Sequence, residues 1–112
     1  MELLPVELRK TLPALYSQES CPTPIAHVKL FTPDSSFTGY VTEGEEQEDG
    51  DWCLFGLVIG LEEEWGYSLL SEIASARGPL GLPVERDLWF QPRPIDEVLR
   101  CERPPSVVCL PQ

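Results

Sequence analysis

Hydrophobic positions recur along the chain at two spacings, and each spacing predicts a different kind of element. Near the start, Val6, Leu8, Leu12, Leu15 and Tyr16 form a stripe at three- and four-residue intervals, the period of one helix face. Pro5 suits a first helical turn and Pro13 interrupts the stripe. The expectation is a helix over Pro5–Thr11 and then a short turn over Pro13–Ser17 with Thr11 as its cap. Residues 18–24 read as a loop. From Ala26 to Thr32 the period drops to two: Val28 and Leu30 point one way, and His27, Lys29 and Phe31 the other, as in a half-buried strand. Pro33-Asp34-Ser35 supplies turn chemistry, and Phe37–Thr42 returns as the second strand of a hairpin. Gly39 in its middle predicts a bulge or a close backbone approach.

Glu43–Asp51 holds six acids and two glycines with no base, which predicts a solvated, mobile acidic loop. Trp52–Ile59 is an almost unbroken apolar run, as expected of a central strand covered on both faces. After Glu62-Glu63-Glu64 and Trp65-Gly66-Tyr67, Ser68 can cap a helix of about two turns that ends at Arg77, with Gly78 just past its end. The stretch Arg77–Asp87 then crowds two glycines, two prolines, three aliphatic residues and four charges together. Leu80, Leu82 and Val84 fall at alternate positions, so they are expected on one face of a buried extended segment that runs into Glu85-Arg86-Asp87. Asp87–Gln91 reads as a further strand, Pro94 opens a final helix over Ile95–Arg100, Pro104-Pro105 ends it, and the last seven residues are expected to be extended. These elements predict an α+β fold in a single domain over residues 1–112: a mostly antiparallel sheet of about four strands with short flanking helices.

Composition narrows the function more than the fold. The chain has 8 basic and 19 acidic side chains and a formal charge of −11, which argues against a direct grip on nucleic acid or an anionic membrane and points to a basic partner. The N-terminus lacks a cationic run followed by an apolar one, and the longest apolar run, Cys53–Leu61, is far short of a membrane span. A cytoplasmic protein is therefore expected. Cys21, Cys53, Cys101 and Cys109 are then expected as reduced thiols. None forms a C-x-x-C pair, and their spacing matches no zinc motif, so no metal or other cofactor is expected.

Leu3-Leu4-Pro5, Leu12-Pro13-x-Leu15-Tyr16 and Pro24-Ile25-x-His27-Val28-Lys29 together resemble a bacterial family, domain of unknown function 2958. The likeness continues through Phe31-Thr32-Pro33-Asp34-Ser35, Gly56-Leu57-Val58-x-Gly60, Gly66-Tyr67 and the Arg77–Asp87 stretch. It covers residues 3 to about 98 and leaves the tail 101–112 outside. The chain departs from the family's pattern at Phe37-Thr38-Gly39-Tyr40 and in its longer, more acidic loop. The resemblance brings no activity with it. It implies a setting, a small accessory protein of plasmids and other mobile elements, where anti-restriction and anti-CRISPR factors collect.

No residue set completes a catalytic motif. His27 has no nearby partner for a triad, so a packed strand residue is the first expectation. Ser35 and Ser36 sit in a turn without the setting of a nucleophile elbow, and Cys53 lies in an apolar run that makes a thiol inert. Glu85, Arg86 and Asp87, with Arg77, Asp34 and Lys29, read either as an ion-pair network pinning the Gly/Pro stretch to the sheet or as a partner contact. The charge is concentrated elsewhere: Glu43, Glu45, Glu46, Glu48, Asp49, Asp51, Glu62, Glu63 and Glu64 fall in 22 residues without a lysine or arginine. Such a run is either a solvated face or the working surface, with Trp52 and Trp65 beside it as apolar anchors. The leading expectation is a non-enzymatic, acidic DNA mimic that binds a basic, nucleic-acid-binding surface of a host defence effector and inhibits it. The alternatives are a subunit of a plasmid-maintenance complex and a small enzyme using His27 or the Glu85-Arg86-Asp87 cluster.

Overall fold

The computed structural model describes residues 2–18, 20–60 and 62–102. Their order is α1 (Val6–Arg9), β1 (Ile25–Ala26), β2 (Val28–Phe31), β3 (Thr38–Glu46), β4 (Trp52–Ile59), β5 (Glu63–Leu69), α2 (Leu70–Ser75), β6 (Glu85–Arg86), β7 (Arg93–Pro94) and α3 (Ile95–Glu102). Five strands form an antiparallel sheet in the order β5-β4-β3-β2-β6, and β1 pairs with β7 in a small second sheet. The fold is α+β, with a larger sheet than the sequence predicted.

Strand alternation builds two cores, one on each face. Val28, Leu30, Val41 and Leu54 point to one face and pack with Leu3, Leu4 and Val84; Leu8, Leu12, Trp52, Leu70 and Ile73 close that side. Tyr40 and Leu57 point to the other, beneath Ala26 and the Ile95 and Val98 side of α3, with Ile59, Phe90 and Leu99 alongside. Asp96 and Glu97 occupy the first turn of α3 and Arg100 its last, where each complements the helix dipole. Gly56 makes the β3–β4 contact possible, because a Cβ there would lie 2.0 Å from the Tyr40 carbonyl oxygen.

Several local expectations are corrected. The β3 strand does not stop at Thr42 but runs to Glu46, so half of the predicted acidic loop is strand, and residues 47–51 form the hairpin turn. The bulge lies between Val41 and Glu43, not at Gly39: Val41 pairs with Gly56 and Glu43 with Phe55, leaving Thr42 as the extra residue. Trp65-Gly66-Tyr67 belongs to β5, whose seven pairings with β4 carry Ser68 into the sheet, so α2 starts at Leu70 and ends at Ser75. The first helix is a single turn with Pro5 as its N-cap.

The Arg77–Asp87 stretch is a folded loop for most of its length. Gly78 N–H donates to the Leu82 carbonyl, Gly81 takes φ 85°, and the Asp34 carboxylate accepts from the N–H groups of Leu80 and Leu82 at 2.7 and 3.3 Å. That closure turns Leu80 and Leu82 outward, 80% and 42% exposed, and leaves only Val84 of the three in the core. Asp87–Gln91 is not a strand either. Pairing with β2 ends at Arg86, and Asp87 turns the chain by accepting from the Trp89 N–H at 2.9 Å. The expectations for Pro104-Pro105 and the last seven residues lie outside the described residues. Among the described residues, no helix is long and apolar enough to cross a membrane.

Candidate functional site: an aromatic cleft over a buried glutamate

The bulge at Thr42 decides where the acidic run points. Without it, Glu43 would share the face of Val41; with it, Glu43 and Glu45 join the face of Phe55, Trp65 and Tyr67. Glu43 is only 4% exposed. One carboxylate oxygen accepts from the Tyr16 N–H at 2.7 Å and the other from the Gln18 N–H at 2.9 Å. Gln18 in turn braces the segment: its amide donates to the Thr42 carbonyl at 2.8 Å and accepts from the Ile25 N–H at 2.9 Å. The Gly44 N–H donates to the Pro13 carbonyl at 3.0 Å, so residues 13–18 are laced along β3.

This lacing raises one wall of a cleft of about 450 Å³, with Tyr16, Gln18, Cys21, Pro22 and Pro24 on one side, Phe55, Trp65 and Tyr67 on the other, and Thr42 and Glu43 between them. The rings are in contact: Phe55 stacks on Trp65 at 5.6 Å and 21°, Tyr67 tilts against Phe55 at 4.8 Å, and Tyr16 reaches Tyr67 at 6.2 Å. Tyr16, Trp65 and Tyr67 are nonetheless exposed. Tyr16 also takes φ 70°, a left-handed conformation costly for a side chain without local polar compensation.

The remaining predicted site residues are dispersed. Glu45, Glu46, Glu48 and Asp49 are exposed at the β3–β4 end of the sheet, and Glu62, Glu63 and Glu64 at the opposite end of β4. At about 3.3 Å per strand residue, those ends lie roughly 23 Å apart. Asp51 faces neither group. It accepts from both the hydroxyl and the N–H of Ser71, so it caps α2 from the hairpin; the Ser71 hydroxyl, followed by the Trp52 N–H, holds its carboxyl below the ordinary value. Trp52 is half-buried on the other face, packed against the core with the Arg9 guanidinium 5.6 Å from its ring centroid.

Glu85 and Arg86 form β6 at the far edge of the sheet. Asp87 follows, 3.9 Å from the Lys29 ammonium. Arg77 does not join them; it donates to the Ala74 and Ala76 carbonyls, while Asp34 holds the Gly/Pro loop. The pinning of that stretch is therefore mainly carboxylate to backbone. A second groove, about 580 Å³, runs between this cluster, Phe31, Phe37 and Trp89. Trp89 is 89% exposed, about twice as much as Trp65, although nothing in its sequence setting marks it. His27 is half-buried, and burial lowers its pKa below 6.5. Ser35 stabilises its turn, contacting the Thr32 hydroxyl and accepting from the Phe37 N–H. Burial first, and then Glu45 and Asp51, raise the Cys53 thiol, which keeps it in its unreactive form.

Trp65 and Glu43 stand out in the sequence, but nothing in it joins them in one cleft. Tyr16 falls in the helical stripe near the N-terminus and Phe55 inside the apolar run 52–59, so neither stands out locally. The one legible signal was Trp65-x-Tyr67, two aromatics at strand spacing. No curated protein and no solved structure matches the chain. The sequence model of one family, described as "Protein of unknown function (DUF2958)", matches residues 3–101. The chain belongs to this DUF2958 family.

Proposed function

We propose that this chain is a non-catalytic interaction protein that uses exposed carboxylates to occupy a basic, nucleic-acid-binding surface of a host defence effector. On this reading it acts as an anti-restriction or anti-CRISPR type inhibitor standing in for DNA. The observation that carries the proposal is the distribution of charge. Seven acids of the 43–64 run are exposed, at both ends of β4, and the run contains no lysine or arginine to offset them. Surfaces evolved for phosphates carry the complementary charge and draw such a protein in from a distance. The mobile-element setting implied by the family resemblance makes defence effectors the leading class of target.

The test is capture from host lysate by immobilised protein, with duplex DNA as competitor and salt varied. A DNA- or RNA-binding effector should be retained, displaced by the duplex and released steeply as salt rises. A variant with Glu45, Glu46, Glu48, Glu62, Glu63 and Glu64 all changed to glutamine should fold and lose the effector. Retention by that variant would remove the acidic run from the mechanism.

A further inference from the structure

We infer that the aromatic cleft receives a guanidinium group, an arginine side chain of the basic partner. This deepens the proposed function and rests on its claim that the partner is basic. The walls supply the first argument. Tyr16, Phe55, Trp65 and Tyr67 line one opening, and tryptophan and tyrosine rings are good aromatic partners for a cation. The floor supplies the second. Glu43 is 4% exposed and is held by two backbone N–H groups, and among the described residues no lysine, arginine or histidine pairs with it. Its charge is thus fixed in place before any ligand arrives, which removes part of the cost of ordering a binding group.

Glu45 and Glu63 share the face of Phe55, Trp65 and Tyr67 by strand alternation, so negative charge flanks the aromatic strip. Tyr16 supplies the third argument. Its left-handed backbone buries little, since the residue is 62% exposed, but it sets a ring opposite Tyr67 above the glutamate. Backbone strain that yields an exposed ring at a cleft mouth points to recognition. A guanidinium fits these walls better than an ammonium. It is flat enough to stack on the rings, and its fork of donors matches a carboxylate. The cleft volume, about 450 Å³, lies in the range of small-molecule sites and leaves room for a whole arginine side chain.

The test uses the peptide acetyl-Gly-Arg-Gly-amide, titrated into the isotopically labelled protein while the indole N–H of Trp65 and the amide of Tyr16 are followed by NMR. Both signals should move and saturate. The citrulline analogue, which keeps the shape and loses the charge, should bind at least about tenfold more weakly, the equivalent of ~1.4 kcal/mol. The lysine analogue should also bind more weakly than arginine. Trp65→Leu and Tyr67→Leu, both at exposed positions, should keep the wild-type backbone amide signals away from the cleft and each lose about tenfold in affinity.

Equal binding of the arginine and citrulline peptides, or of the arginine and lysine peptides, would overturn the inference, as would shifts that survive both substitutions. The two levels of the proposal fail separately. If the arginine peptide leaves Trp65 unmoved while a DNA-competed effector is still captured, the cleft is not the arginine site and the acidic-surface reading stands. If the peptide binds but no basic protein is captured, the arginine site stands and the wider reading falls.

Discussion

Leu54 and Phe55 are neighbours on β4, yet they face opposite fates. Leu54 points into a core closed by the N-terminal segment, α2 and Val84, and is 3% exposed. Phe55 points to a face that α3 covers only over Leu57 and Tyr40, and beyond that cover the surface is aromatic and open. The open part is not short of hydrophobic material, since Phe55, Trp65 and Tyr67 could pack beneath a helix as Leu57 does. Beside them runs a thin loop tied to β3 by a buried glutamate and carrying a left-handed tyrosine. A core needs neither of these, and a binding cleft can use both.

Damage to each face in turn separates a core from a cleft. Leu54→Ala should cost about 2–5 kcal/mol, because the closed face leaves a cavity it cannot fill, and chemical denaturation would measure it. Gly56→Ala should cost about 1–3 kcal/mol, since the added methyl meets the Tyr40 backbone and not a movable side chain. If Gly56→Ala melts like wild type, the strands are not packed as closely as the bulge geometry requires. Gly81→Val should cost on the order of 1–3 kcal/mol through its positive φ, with the loss seen as a lower melting temperature. Trp65→Leu, on the open face, should change stability by no more than about 0.5 kcal/mol. A loss there as large as that of Leu54→Ala would make the aromatic strip a core and not a site.

The two faces were also unequally legible in the sequence. The closed face announces itself: Val28 and Leu30 alternate, and the apolar run 52–59 is long. Each signal is local and agrees with the final packing. The open face depends on pairings between distant segments. The bulge at Thr42 inverts the direction of Glu43, and no residue type at 41–43 betrays it; Gly39, the natural candidate, is an ordinary strand glycine. In β5, the alternation of Trp65 and Tyr67 was masked by three glutamates before it and Gly66 within it, and its edge is defined by β4 alone.

At Leu80 and Leu82 the period-two pattern was real, but the backbone hydrogen bonds went to Asp34 and not to a neighbouring strand. Alternation then had no sheet to act on, and both side chains turned to solvent. Gly78 sits close against the same carboxylate, which is why that position has no room for a side chain. Local patterns specify what a segment can become; the carboxylates Glu43 and Asp34 select which of those forms the chain takes.

The smallest expected effect concerns His27, which lies where the chain passes from Ala26, packed on the open face, to Val28, packed on the closed one. Its N–H donates to the Val41 carbonyl, and its ring lines a small cavity with Pro5, Leu8, Arg86, Asp87 and Phe90. The ring atom Nδ1 is buried and accepts no hydrogen bond, and burial lowers the folded-state pKa below 6.5. The sign follows from which state binds the proton first. Above pH 6.5 both folded and unfolded chains hold a neutral imidazole, and His27 adds no pH dependence. As pH falls below 6.5 the unfolded chain is protonated first, so stability drops until the folded pKa is passed and then levels. Melting temperatures from pH 8 to pH 5 should therefore decline in the acid half of that range, and His27→Gln should flatten the decline. An unchanged slope in His27→Gln would place the acid sensitivity among the carboxylates and leave the seam between the two faces without a titrating group.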